Sequence, residues 1–242
     1  MNHFIKASGL ASFVLLSSLG VAQAEDQSSK SYYVSVFGGG NFAGDLDGRD
    51  ILNFVDISGS VVGTVGLDTE IETDAGFIAG AAFGTEFDHG IRVEGEYAFL
   101  RNTFDEVVGN VVSATGAAAG FTGPLVGAIL GDIKTHSILV NAWKDFSFEG
   151  SPIVPYIGGG AGFGISSFNF DGLASEETEV GFAFQVGAGV DAELDSGVRL
   201  GVGYRFYGFP NAEFPIDSVT NTAVASGIYS QTVIGTVTIP FR

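Results

Sequence analysis

The chain has 242 residues, with 28 Asp and Glu against 10 Lys and Arg, and a formal net charge of −18 at neutral pH. A chain that acidic is repelled by a phosphodiester backbone, which argues against nucleic acid as a partner. There is no cysteine, so neither a disulfide framework nor thiolate chemistry is available, and the 45% hydrophobic content with 22 Phe argues against the disorder that high charge usually brings.

Residues 1–24 read as an export signal. Lys6 provides the positive start, an apolar stretch runs from Gly9 to Val21, and Ala22-Gln23-Ala24 has the small-x-small form of a cleavage site. The mature domain is therefore expected over residues 25–242. Beyond the signal, no uninterrupted apolar run approaches the ~18 residues of a membrane helix outside one loop near residues 107–131.

The informative pattern is alternation at every second residue, and eight segments carry it. In residues 31–42, Tyr32, Val34 and Val36 oppose Tyr33, Ser35, Gly39 and Asn41. In 75–87, Phe77, Ala79, Ala81 and Phe83 alternate with Gly80, Ala82, Gly84 and Glu86, and Asp88-His89-Gly90 then turns the chain. In 91–103, Ile91, Val93, Gly95, Tyr97 and Phe99 oppose Arg92, Glu94 and Glu96. In 133–146, Ile138, Val140 and Ala142 oppose Ser137 and Asn141, before a turn at Glu149-Gly150-Ser151-Pro152. In 153–168, Ile157, Ala161, Phe163 and Ile165 oppose Tyr156 and a row of glycines. In 180–194, Phe182, Phe184, Val186, Ala188 and Val190 oppose Gln185, Gly187, Gly189, Asp191 and Glu193, and Asp195-Ser196-Gly197 makes the next turn. In 198–209, Val198, Leu200, Val202, Tyr204 and Phe206 oppose Arg199, Gly201, Gly203 and Arg205. In 228–241, Val233, Val237, Ile239 and Phe241 alternate with Thr232, Thr236 and Thr238.

Each segment is long enough for a tilted strand to cross a bilayer, about 9–11 residues. Tight turns follow the second, fourth and sixth segments. Long connections follow the others, near residues 43–74, 101–132, 169–179 and 210–227. Short turns on one side and long loops on the other is the asymmetry of an outer-membrane barrel. The fold expected is all-β: an eight-stranded antiparallel up-and-down transmembrane β-barrel, with the long loops outside and both chain ends at the periplasmic rim. A soluble sandwich would need a polar outer face, and the second face here is mostly Gly with few charges.

Several stretches carry a resemblance: Tyr32-Tyr33-Val34-Ser35, Arg92-Val93-Glu94-Gly95-Glu96-Tyr97, Pro155-Tyr156-Ile157-Gly158-Gly159-Gly160, Gln185-Val186-Gly187-Ala188-Gly189-Val190 and Gly203-Tyr204-Arg205-Phe206. With them the chain resembles the small outer-membrane β-barrel proteins of Gram-negative bacteria, OmpA-like and porin-family in the loose sense. The resemblance implies a place in the cell outer membrane, among its lipids. It also implies handling by periplasmic chaperones and the barrel-assembly machinery, and a structural role with surface loops that can meet host or surface ligands. Such proteins commonly end in Phe. Here Phe241 is followed by Arg242, and Val237, Ile239 and Phe241 form the candidate assembly signal.

The inward charges Arg92, Glu94, Glu96, Asp191, Glu193, Arg199 and Arg205 are expected to pair in the lumen, because isolated charges there are costly. A plug of ion pairs is the structural reading and a gated ion path the functional one. An open bore is permitted by the inward glycines and opposed by the inward Arg and Glu. His136 and Ser137 are adjacent and so point to opposite faces of a strand, which denies them the contact a base and nucleophile need. No catalytic, cofactor or metal set is expected. Asp45, Asp47, Asp50, Asp56 and Asp68 fit no EF-hand spacing and read as a solvated loop, and Glu213 and Asp217 likewise. Tyr32, Tyr97, Tyr204 and Phe241 read as interface girdles. The apolar loop at 107–131 is expected to form a short helix over the barrel mouth, the alternative being a contact site for another protein or for lipid. On the mouth-covering reading, deleting residues 114–127 raises conductance. The leading function is a structural, surface-exposed barrel; a narrow channel for ions or small solutes is the alternative, and a lipid-modifying enzyme the third.

Overall fold

The computed structural model describes residues 31–55, 60–116, 118–120, 124–170, 176–210, 213–217, 222–225 and 227–241. The export signal at residues 1–24 and Asp56 lie outside them. Twelve strands follow in chain order: β1 (Ser31–Ala43), β2 (Leu46–Val55), β3 (Val61–Thr73), β4 (Gly76–Phe87), β5 (Ile91–Gly116), β6 (Pro124–Asp145), β7 (Ile153–Phe170), β8 (Glu176–Glu193), β9 (Arg199–Phe209), β10 (Glu213–Asp217), β11 (Thr222–Ala225) and β12 (Ile228–Phe241).

Eight of these close a barrel. The antiparallel ring runs β1, β4, β5, β6, β7, β8, β9 and β12, and β12 returns to β1 in register from Tyr32↔Phe241 to Ala43↔Ser230. No barrel strand keeps a free edge within this ring, as a lipid environment requires. The outward phase is apolar and open: Phe163 is 72% and Ile138 69% accessible. Such exposure of large apolar side chains on every strand makes sense only against hydrocarbon. From Tyr32 to Phe42, ten residues at ~3.3 Å each and tilted by ~40° rise ~25 Å, the height of an outer-membrane apolar band.

Aromatic clusters border the band. Tyr32, Phe83 and Phe241 meet at the tight-turn end, with ring centroids 6.0–6.3 Å apart. At the other end Phe77 packs edge-on against Phe99, and Phe182, Phe184, Phe206 and Tyr229 follow one another around the wall. Tyr204 donates to Gln231 Oε1 at 3.2 Å rather than joining a ring stack. The first tight turn is a single 3₁₀ turn, Asp88–Gly90, in which His89 and Gly90 both have positive φ (65° and 70°).

The long connections differ from the loops expected. Residues 107–131 carry no helix in their described part. β5 runs on to Gly116 and β6 starts at Pro124, so the two barrel strands continue outward as a hairpin. The reason is in the composition: Val107, Val108, Val111 and Val112 are β-branched, and neighbouring strands on both sides take up the backbone hydrogen bonds. β3 pairs along this extension, from Gly63↔Gly116 to Thr73↔Phe104, and β2 pairs with β3. Val65 and Ala118 are buried there, with Val111 and Ala114 packed against them. The acidic first connection is thus the β2–β3 hairpin, which carries Asp47, Asp50 and Asp68, and the fourth contains the β10–β11 hairpin with Glu213 and Asp217.

Several inward glycines make flat seats for rings from neighbouring strands. A Cβ on Gly84 would lie 2.6 Å from the Tyr33 ring, on Gly80 2.3 Å from Phe37, and on Gly158 2.7 Å from Trp143. Tyr156 fills the space over both Gly189 and Gly203. A side chain at any of these seats must displace a ring in a packed interior. We expect Gly189→Val to destabilise the barrel by about 1–3 kcal/mol. Gly95→Ala, whose Cβ meets nothing within 4 Å on the lipid face, should be near neutral. Urea unfolding from lipid vesicles, followed by fluorescence of the chain's one tryptophan, Trp143, measures both.

Candidate functional site

The lumen divides into two layers. Toward the long connections it is mainly apolar: Ile78, Leu100, Phe104, Ile133, Leu139, Phe168, Phe209, Ile228 and Ile234 form one buried cluster with Phe37 and Tyr207. Polar exceptions pair locally, as Thr135 with Ser166 at 2.9 Å and Asn41 with Asn102. Toward the tight turns the lumen is charged.

Charged residues reach the interior because β5 alternates Arg92, Glu94 and Glu96 on its inward phase, all buried. Arg205 of β9 bonds Glu96 at 2.7 Å across the barrel. Glu96 also accepts from Gln185 at 3.0 Å and Asn141 at 2.9 Å. Glu94 has no guanidinium on it. It accepts instead from three neutral donors: Tyr33 Oη at 2.8 Å, Trp143 Nε1 at 2.7 Å and Asn141 Nδ2 at 3.0 Å. Arg92 turns the other way, to Asp145 at 2.9 Å and Asp191 at 3.6 Å. Arg199, at the periplasmic edge, spans Asp145 at 3.0 Å, Glu86 at 3.1 Å and Glu193 at 3.3 Å.

Aromatic faces complete the solvation of the cations. The Arg205 guanidinium lies 4.7 Å from the Phe37 ring centroid and 5.2 Å from that of Trp143; Arg92 lies 5.2 Å from Tyr156 and 5.8 Å from Tyr33. Arginine suits this double duty, since its flat ion both forks to carboxylates and stacks on rings. Between these side chains the structure leaves a cavity of about 20 Å³, lined by Arg92, Glu94, Asp191 and Arg205 among others. A wider vestibule of about 440 Å³ opens below Tyr33 and Arg199 at the periplasmic mouth.

Arg92, Glu94, Glu96, Asp191 and Arg205 are buried in the interior, and Arg199 and Glu193 together line its edge at the tight-turn end. Glu193 is the most open of the seven, its side chain 46% accessible where β8 ends. The pairing is not confined to β5 and β9. Arg199 leaves β5 for Asp145 and Glu86. Asp145 was the residue the sequence reasoning missed, although it lies on the same phase of β6 as Ser137 and Asn141, four residues beyond the latter. Trp143 lies between them on that phase. The candidate assembly residues Val237, Ile239 and Phe241 all face outward on β12.

His136 and Ser137 occupy opposite faces of β6. His136 is outside, its Nδ1 2.8 Å from Tyr97 Oη, and Ser137 is buried in the lumen. Among the described residues no group of three or more His, Asp or Glu side chains is arranged to hold a metal ion.

Breaking one half of the Glu96–Arg205 pair leaves a buried charge without its partner. Arg205→Met alone should lower stability by about 3–5 kcal/mol, and adding Glu96→Gln should restore part of that loss. Unfolding midpoints of the two variants and the parent in vesicles give the comparison. A double variant no more stable than Arg205→Met would mean the pair is not the source of the loss.

The chain matches the family model described as an outer membrane protein beta-barrel domain over residues 11–227. No curated protein sequence matches it. Among solved structures it is similar to Neisserial surface protein A, at 18% identity over 87% of this chain and 97% of that one, with a TM-score of 0.47. It is similar also to the outer membrane protein OprG from Pseudomonas aeruginosa, at 16% identity, 86% and 96% coverage and a TM-score of 0.47. The outer membrane protease OmpT from Escherichia coli follows at 7% identity, 87% and 97% coverage and a TM-score of 0.42. With a closed eight-stranded ring, an apolar outer wall and a family match over most of its length, the chain belongs to the outer-membrane β-barrel protein family and resides in the outer membrane.

Proposed function

We propose that this protein is a closed barrel with a structural and surface-exposed role, which braces the outer membrane and presents its extended hairpins for contact outside the cell, and that it is not a channel. The observation that carries the reading is the filled lumen. An apolar layer lies over a charged layer, and the space left among the lumenal charges is about 20 Å³, room for about one water. A pore for ions or small solutes would need a continuous aqueous path, and eight strands leave only a side-chain-filled interior. The outward ladder of β2, β3, β5 and β6 supports the surface role, since it projects a stiff platform instead of a loose loop.

The same reading assigns residues 1–24 to export and Val237, Ile239 and Phe241 to recognition by the assembly machinery. It assigns no catalysis. His136 and Ser137 are separated by the barrel wall, so they cannot share a proton in an acyl-transfer step.

Folded protein, checked by its altered mobility on an unboiled gel, should give no steady conductance steps in planar bilayers. Deleting residues 114–127 should leave the bilayer equally silent, because the seal lies inside the barrel wall and not in the hairpin above it. Steady steps from the parent protein would overturn the proposal in favour of a channel, and steps from the deletion alone would assign the seal to the hairpin.

A further inference from the structure

The outer wall carries one feature that neither barrel closure nor the lumen accounts for. At the end of the apolar band nearest the long connections, β5 and β6 place Arg101 directly opposite Lys134, both on the outward phase. Their side chains are 44% and 36% accessible. Like charges facing each other across a ladder destabilise it. One carboxylate, Asp132, serves both, at 3.5 Å from Arg101 Nε and 2.9 Å from Lys134 Nζ. Among the residues whose side chains are described, two cations against one anion leave a positive charge on the wall of a strongly acidic protein. Among the residues whose side chains are described, every other Lys or Arg is lumenal or, as Lys144, at the periplasmic end.

The height and surroundings of the pair say what meets it. Arg101 is ten residues along β5 from Ile91, about 25 Å up at the usual rise and tilt, which is the top of the band. Just below it, Phe99 faces His136 across the same ladder, with centroids 4.8 Å apart. Phe77 packs on Phe99, and Tyr97 Oη bonds the His136 ring at 2.8 Å. A rigid aromatic surface thus lies in the hydrocarbon with a fork of cationic donors above it. That is the outline of one lipid: acyl chains against the rings and an anionic head on the cations.

We propose that Arg101 and Lys134 bind a phosphate monoester on the head of an outer-leaflet glycolipid, with Tyr97, Phe99 and His136 against its acyl chains. The phosphate supplies the missing anion to both cations. The proposal rests on the long connections facing the cell exterior, and it is independent of whether the lumen conducts.

The test uses the folded full chain in detergent micelles, titrated with four probes: bis-phosphorylated lipid A, its dephosphorylated form, phosphatidylglycerol and inorganic phosphate. Native mass spectrometry reads the bound species. The parent should bind bis-phosphorylated lipid A about tenfold or more tightly than the dephosphorylated lipid. The double variant Arg101→Gln with Lys134→Gln should lose that difference. Equal binding of the two glycolipids by the parent would overturn the proposal without any variant, so the test stands even where the double variant fails to fold. The exchange Arg101→Lys with Lys134→Arg should retain the preference. Tighter binding of phosphatidylglycerol than of lipid A, or displacement of lipid A by millimolar inorganic phosphate, would also overturn it, since either would assign the cations to another source of phosphate.

Discussion

The structure depends on a single requirement: in hydrocarbon, each backbone N–H and C=O must find its partner within the protein. The β1–β12 ladder meets it by joining the first barrel strand to the last, so that the sheet has no edge inside the membrane. Much else is a consequence. Antiparallel closure of an even ring returns both ends of the domain to one rim. It forces the side chains of each strand to alternate between lipid and lumen. It also fixes the bore, because eight strands enclose a space that side chains must fill.

The filling solves an electrostatic problem. The buried charged layer holds four carboxyl groups, Glu94, Glu96, Asp145 and Asp191, against the buried guanidinium groups of Arg92 and Arg205, with Arg199 at the edge. Charges removed from water cost several kcal/mol each unless they are paired and hydrogen-bonded. The imbalance falls on Glu94, which collects Tyr33, Asn141 and Trp143 in place of a cation. The glycine seats make this possible. By bringing Tyr33, Trp143 and Tyr156 flat against the wall, they place polar ring atoms where the carboxylates need donors and ring faces where the arginines need cover.

The barrel was legible because its signal is periodic. In 91–103 alone, the alternation of Ile91, Val93, Tyr97 and Phe99 with Arg92, Glu94 and Glu96 distinguishes the lipid phase from the lumen. The lumenal identity of the charges followed from that phase. Their partners did not, because partner choice depends on the stagger between strands far apart in the ring, which one strand's pattern does not contain. Asp145 illustrates this: its phase on β6 was readable, but its bridge between Arg92 and Arg199 was not. The rings seated on the glycines were not legible for a related reason, since a missing side chain reads as empty space until the ring that occupies it is known. The region 107–131 was misread because an apolar run rich in Ala and Gly has no strict period, and its strand character comes from β3 and β6 beside it.

The lumenal contacts also join residues remote along the chain. Glu96 and Arg205 are separated by 109 positions, and Arg199 and Glu86 by 113. Neither pair can form while the sheet is an open ribbon, since each needs wall segments from both halves to face each other. The charged layer is therefore a late event in assembly, formed as β12 reaches β1. Interactions absent from the folding transition state act on the rate of leaving the native state. The plug is in this sense a latch. It does little to speed the entry of the chain into the membrane, and once engaged it slows the escape of a finished barrel.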